Sequence, residues 1–115
     1  MTDQEKIEFL AEKVMGWHKH WSHPDYPADW VDKESGHAAY ADWNPLLSIS
    51  DAWMVVEKIN SRLLWFHIEC ANGVEWSAKV FTARFDGEEC KHVASAETAP
   101  LAICNAAISA VGGKP

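Results

Sequence analysis

Leu63-Leu64-Trp65-Phe66-His67-Ile68-Glu69-Cys70-Ala71, Asn72-Gly73, Val74-Glu75-Trp76-Ser77-Ala78-Lys79-Val80-Phe81-Thr82-Ala83-Arg84-Phe85, Asp86-Gly87 and a last run to Ser95 form the stretch that decides the fold. Asn-Gly and Asp-Gly tolerate the positive φ that tight type I′ hairpin turns require. Two such turns in series predict an antiparallel meander of three strands over residues 63–95. Counting outward from Asn72-Gly73 pairs Glu69 with Trp76, His67 with Ala78 and Trp65 with Val80. The other face then pairs Leu64 with Phe81, Phe66 with Lys79 and Ile68 with Ser77. Counting from Asp86-Gly87 sets Val93 beside Val80 and His92 beside Phe81. On this register both faces are apolar at their centres, whereas a sheet covered on one side alternates apolar with polar. Cover is therefore expected on each face, with His67 and Glu69 part of the packed interior.

Three helices are signalled outside the meander. Thr2-Asp3-Gln4-Glu5 fits a capping box, and Ile7, Leu10, Ala11 and Val14 follow as one apolar stripe ending at Gly16, which predicts a helix over about 3–15. Ser48 or Ser50 caps a second helix over about 50–59, striped by Ala52, Val55, Val56 and Ile59 with Trp53 beside the stripe. Thr98 caps a third over about 98–111, with Pro100 in its first turn and Gly112-Gly113 as its stop. That helix is rich in alanine and is expected to pack closely on the sheet. The predicted fold class is α+β, a three-layer α/β/α sandwich with a mainly antiparallel sheet, built as a single domain over residues 1–115.

Composition narrows the function. The hydrophobic fraction is 48% and the charged fraction 23%, ordinary for a globular protein. No apolar run approaches the roughly 20 residues that span a bilayer, and the start lacks a signal peptide, so a cytoplasmic location is expected. A net charge of −7 argues against a nucleic-acid or anionic-membrane partner and permits a basic protein partner. Cys70, Cys90 and Cys104, odd in number and widely spaced, read as reduced and mostly buried thiols.

The region from Trp17 to Trp43 is irregular and holds four of the seven tryptophans and four of the six histidines. Trp17 to Trp21 and Asp29 to Asp32 read as two short strands around Pro24 and Pro27, with a turn at Ser35-Gly36. Indole rings want a partner for their N–H, so some of them are expected in a groove or interface. Trp17, Trp21, Trp30 and Trp43, ringed by Asp25, Asp29 and Asp32, are the candidate binding residues for a protein partner or ligand, as aromatic anchors inside a polar rim. The bland alternative is a solvated loop. His18, His20 and His23 are the candidate metal ligands, with zinc the ion considered, because His-x-His on a strand points both rings one way. Against it stands an exposed histidine-rich loop.

With the helices placed, a resemblance emerges. It rests on Ala11-Glu12-Lys13-Val14-Met15-Gly16-Trp17, then Trp43-Asn44-Pro45, Ser50-Asp51-Ala52-Trp53-Met54-Val55-Val56-Glu57-Lys58 and Thr98-Ala99-Pro100-Leu101-Ala102-Ile103-Cys104-Asn105-Ala106-Ala107. In order and spacing these blocks resemble the phage ABA-sandwich domain, a family of small proteins of bacteriophages and prophages. The resemblance implies the three-layer arrangement and a phage origin, and brings no catalytic residue.

No catalytic residue or cofactor is assigned from the residues themselves. Cys70 opposite Glu75 is a poor nucleophile, because a neighbouring carboxylate raises a thiol pKa. The expected function is a non-enzymatic phage accessory protein that inhibits or sequesters a host factor, counter-defence included, or a small-molecule ligand. The alternatives are a small metal-dependent hydrolase using the histidine-rich segment 18–37, and an oligomeric structural or assembly protein, a homodimer being its simplest form.

Overall fold

The structure, a computed structural model, describes residues 1–21, 24–25, 28–32, 42–61, 64–71, 75–84 and 87–115. Helix α1 spans Asp3–Phe9 and continues as a π-helical segment, Leu10–Val14. A hairpin follows, β1 (Trp17–His20) paired antiparallel with β2 (Asp29–Asp32). Helix α2 (Ile49–Asn60) leads to the meander of β3 (Leu64–Ala71), β4 (Glu75–Arg84) and β5 (Gly87–Ala96), and α3 (Ala99–Ala110) closes the chain. The fold is α+β, with, among the described residues, three helices and two antiparallel sheets, of order β1-β2 and β3-β4-β5.

Each helix starts where its cap predicts. Thr2 Oγ1 accepts the Glu5 N–H, and Glu5 Oε1 accepts the Thr2 N–H in return. Ser48, not Ser50, caps α2 by accepting the Asp51 N–H, and Thr98 caps α3 through the Leu101 N–H. The first helix is not uniform as expected. Met15 N–H reaches back to the Leu10 carbonyl at 3.0 Å, the wider spacing of a π turn. The widened turn accompanies complete burial of Leu10, Ala11 and Val14. Gly16 then reverses the chain at φ 74°, a left-handed conformation that only glycine adopts freely.

The meander forms, in a different register from the one its turn residues suggest. Ala71 pairs with Glu75, which leaves positions 72–74 between the strands where two were expected. Every pair moves by one: Phe66 faces Val80, His67 faces Lys79, Ile68 faces Ala78 and Cys70 faces Trp76. Arg84 pairs with Gly87, so Gly87 belongs to the strand. Val80 pairs with His92 but Phe81 with Cys90, so position 91 is the extra residue of a bulge. A slip of one residue regroups which side chains meet across the strands. Ala78 and Val80 are fully buried, and Phe66, Ile68, Trp76, Ala94 and Ala96 pack on the core beside them. His67, Glu69 and Val93 stand exposed on the opposite face.

Cover on both faces is thus not what the described residues provide. Helices α2 and α3 lie on the Ala78–Val80 face, with α2 against β3 and α3 across β4 and β5. Ala102, Ile103, Cys104, Ala106, Ala107 and Ile108 are all fully buried, so the alanine-rich helix packs as closely as its composition suggested. The π segment touches α2, α3 and β1, and so joins the hairpin to the helical layer. The Lys6 ammonium donates to Asn105 Oδ1 at 2.9 Å, fastening α1 to α3.

Candidate functional site

A concavity opens along α2. Ile49, Trp53, Val56 and Asn60 recur at helical spacing and line one side of a groove of about 760 Å³. Phe66, Ile68 and Trp76 line it from the meander, and Thr98, Pro100 and Ile103 from the first turns of α3. Ile49 and Trp53 are 53% and 51% exposed, an unusual state for such large apolar side chains. A shallower depression of about 480 Å³ adjoins it, sharing Ile49 and Trp53 and bordered by Met54 and Glu57. Trp53 therefore stands between two hollows. Glu97 joins the groove's lining, and Glu57 that of the neighbouring hollow.

Local sequence explains this exposure. The buried stripe of α2 runs through Ala52, Val55, Val56 and Ile59. Ile49 and Trp53 lie off that stripe, four residues apart, and so form a second apolar face. Sequence reasoning saw Trp53 only as a neighbour of the core stripe and did not single out Ile49, Trp76 or Glu97. The available signal was that i, i+4 pair outside the buried stripe.

The tryptophans expected as surface anchors divide into two groups. Trp17, Trp30 and Trp43 are 5%, 5% and 3% exposed and belong to the core cluster. Trp17 and Trp43 meet edge to face, 4.9 Å between ring centroids at 72°. Trp21 is 55% exposed. Trp21, Trp30 and Trp43 converge with Lys19, Gln4 and Asp42 on a smaller polar pocket of about 400 Å³. The Lys19 ammonium pairs with Glu8 and lies 5.7 Å from the Trp30 ring centre. That pairing, above all its hydrogen bond, holds the Glu8 carboxyl below the usual carboxylate range. Asp29 and Asp32 are half-buried at the two ends of β2, opposite His20 and Trp17, and Asp25 is exposed in a turn.

His18 and His20 are exposed on β1, on the outward side that carries Val31 and Asp29. His23 lies outside the described residues. Among the described residues, no three His, Cys, Asp or Glu side chains are grouped so as to hold a metal ion.

His67 and Glu69 are not interior groups. Both sit on the open face, where Glu69 lies 3.5 Å from His67 Nε2 and 3.4 Å from Lys79 Nζ. The Lys79 ammonium first, then His67, draws the Glu69 carboxyl below its ordinary value. The register slip placed them there, beside Lys79 instead of Ala78. Of the two described thiols, Cys104 is buried as expected and Cys70 is not. Cys104 is buried and donates to the Pro45 carbonyl at 3.2 Å, while Cys70 is exposed. The Cys90 side chain lies outside the description. Burial pushes the Cys104 thiol up to about 12, far from any nucleophilic role.

These features define a small α+β protein with helices packed on one face of an antiparallel meander and an apolar groove beside the second helix. The chain belongs to the Phage ABA sandwich domain family, whose model matches residues 8–108. Comparison with curated proteins found no match, and comparison with solved structures found none. Among the described residues, no helix is long and apolar enough to cross a membrane.

Proposed function

We propose that this phage-family protein is a binding protein whose site is the groove along α2, and that it acts by occupying an amphipathic, basic segment of a host protein and so inhibiting it. The single observation that carries the reading is the pair Ile49 and Trp53, each about half exposed between two adjoining apolar hollows. Covering side chains of this size contributes about 1.5–3 kcal/mol each when burial is complete. An exposed tryptophan flanked by apolar hollows has the character of an interaction hot spot. Charge selects the partner: Glu97 and Glu57 border the two hollows, and the chain carries a net charge of −7. An apolar helix face flanked by Lys and Arg complements both properties.

The test uses two synthetic peptides with leucines at helical spacing, one with lysines and one with glutamates on the remaining face. Titration followed by tryptophan fluorescence should show saturable binding of the lysine peptide and none of the glutamate peptide. Trp53→Ala should weaken the lysine peptide at least tenfold, equivalent to about 1.4 kcal/mol. Equal binding of both peptides, or no change in Trp53→Ala, removes this reading. Photocrosslinking from position 54 in host extract would then identify the natural segment.

A further inference from the structure

We infer that the groove along α2 singles out arginine: a guanidinium of the bound segment stacks on the indoles of Trp53 and Trp76 and donates to the Glu97 carboxylate. The inference rests on the proposed function and names the side chain that the groove selects. Trp53, Phe66 and Trp76 put three aromatic rings into one lining. Trp53 is 51% exposed, and Phe66 and Trp76 are half-buried, so each leaves apolar surface uncovered. Glu97 is exposed on the same lining, which no Lys, Arg or His among the described residues shares. Among the described residues Glu97 also makes no ion pair, unlike Glu8, which Lys19 holds, and Glu69, which Lys79 holds. It is the one residue between β5 and the Thr98 cap of α3, so structure on both sides fixes its backbone.

An aromatic lining with one uncompensated carboxylate complements a cation that has a flat face. The ring quadrupole attracts a cation placed over it, and tryptophan is the strongest of the aromatic partners. A guanidinium meets both needs better than an ammonium. It is planar and weakly hydrated, and its fork of N–H donors matches the two oxygens of a carboxylate. A lysine ammonium is a compact, strongly hydrated charge, and it gives up more water on entering an apolar groove. The adjoining hollow provides an internal comparison. Glu57 borders it, and among the described residues Trp53 is the only aromatic ring in its lining. A carboxylate there attracts either cation without a second indole to favour the planar one.

Three peptides with the same helical leucine face test it, their remaining positions filled with lysine, arginine or citrulline, the last a neutral analogue of arginine. Titration of the intact protein, followed by tryptophan fluorescence, gives the three affinities. The arginine peptide should bind about tenfold more tightly than the lysine peptide, corresponding to about 1.4 kcal/mol, and the citrulline peptide more weakly than either. Glu97→Gln should cut the arginine-over-lysine ratio to about threefold or less. Glu57→Gln removes the same charge beside the other hollow, and should weaken both cationic peptides alike and keep the ratio. Trp53→Leu keeps an apolar side chain without an aromatic face and should also lower the ratio. Saturable binding of the lysine peptide with a ratio near one overturns this inference and leaves the proposed function standing. So does a ratio that neither Glu97→Gln nor Trp53→Leu lowers, or a citrulline peptide bound as tightly as the arginine peptide. Failure of both cationic peptides to bind overturns the proposed function and this inference together.

Discussion

The Asp51 carboxylate accepts the backbone N–H of Asn44 at 2.9 Å. Around this bond the approach to α2 is fully organised. Asn44 Oδ1 accepts the Leu46 N–H, and the Asn44 carbonyl accepts from Leu47 and Ser48. Ser48 Oγ accepts the Asp51 N–H, and the neighbouring Pro45 carbonyl accepts the Cys104 thiol. Trp43-Asn44-Pro45 and Ser50-Asp51-Ala52-Trp53, two of the blocks that carry the family resemblance, are therefore a single latch. It fixes the start of α2, and with it the direction in which Ile49 and Trp53 project.

Asp51→Ala should destabilise the fold by about 1–3 kcal/mol, because it removes a charged acceptor from a half-buried backbone donor. Asp51→Asn retains an acceptor oxygen and should lose less. Urea denaturation should show a lower midpoint with an unchanged slope. Equal stability of Asp51→Ala and the unaltered chain would mean that solvent replaces the bond.

The two described thiols should react very differently. In a Cys90→Ala background, a water-soluble thiol reagent at pH 8 should modify Cys70 rapidly and Cys104 only after unfolding. Exposure governs the first; burial, which pushes the Cys104 thiol up to about 12, governs the second. Mass spectrometry of peptides from timed samples reads the outcome. Comparable rates at both positions would contradict the packing of α3 on the Pro45 turn.

Two glycines serve different ends, and alanine should separate them. At Gly16, φ is 74° with nothing within 4 Å of an added Cβ, so Gly16→Ala meets only backbone strain, about 1 kcal/mol. At Gly113 an added Cβ would lie 2.6 Å from Ile108 Cγ2 and 2.8 Å from Phe9 Cζ. Ile108 is fully buried, so Gly113→Ala forces repacking at about 1–3 kcal/mol. Thermal unfolding of both variants should rank Gly113→Ala as the less stable.

The Glu8–Lys19 pair ties α1 to the hairpin and should appear in the acid limb of stability. The Glu8 carboxyl is lowered in the folded protein from its ordinary 4.5, chiefly by the hydrogen bond from Lys19. Its contribution is therefore present above the unfolded pKa and lost as pH falls through the lower folded one. Glu8→Gln should flatten the melting-temperature profile below pH 4.5 and leave its slope above neutrality unchanged. The effect is small, because the pair is about one-third exposed and screened by solvent. An unchanged acid limb in Glu8→Gln would show that the ion pair does not persist in solution.

Local chemistry made much of the fold legible. Thr2, Ser48 and Thr98 cap their helices through bonds that span three residues, and such bonds are specified by the residues themselves. Gly16 stops the first helix for an equally local reason, the freedom of glycine at positive φ. The hairpin at Trp17–His20 and Asp29–Asp32 was legible from its breaking prolines and aromatic runs. Membership in the phage family was readable too, because the latch residues and the alanine-rich α3 lie in contiguous blocks.

Register was decided elsewhere. Asn72-Gly73 and Asp86-Gly87 mark where the strands turn, yet each pairing differs by at least one residue from what those dipeptides prefer. Burial of Ala78 and Val80 under α2 and α3, with the bulge at position 91, prevails over the turn preference. A wrong register would turn either His67 and Glu69 or Lys79 onto the helix-covered face, and leaving a charge unpaired there costs far more than a less favoured turn. The same long-range packing moved His67 and Glu69 to the open face, drew Trp17, Trp30 and Trp43 into the core, and left Ile49 and Trp53 in solvent. The sequence by itself determined the elements, their caps and the family, because those depend on neighbours a few residues apart. Only tertiary structure determined which side chains remain exposed, because that depends on elements far apart in the chain packing on one face of a sheet, while among the described residues the other face keeps His67, Glu69 and Val93 exposed.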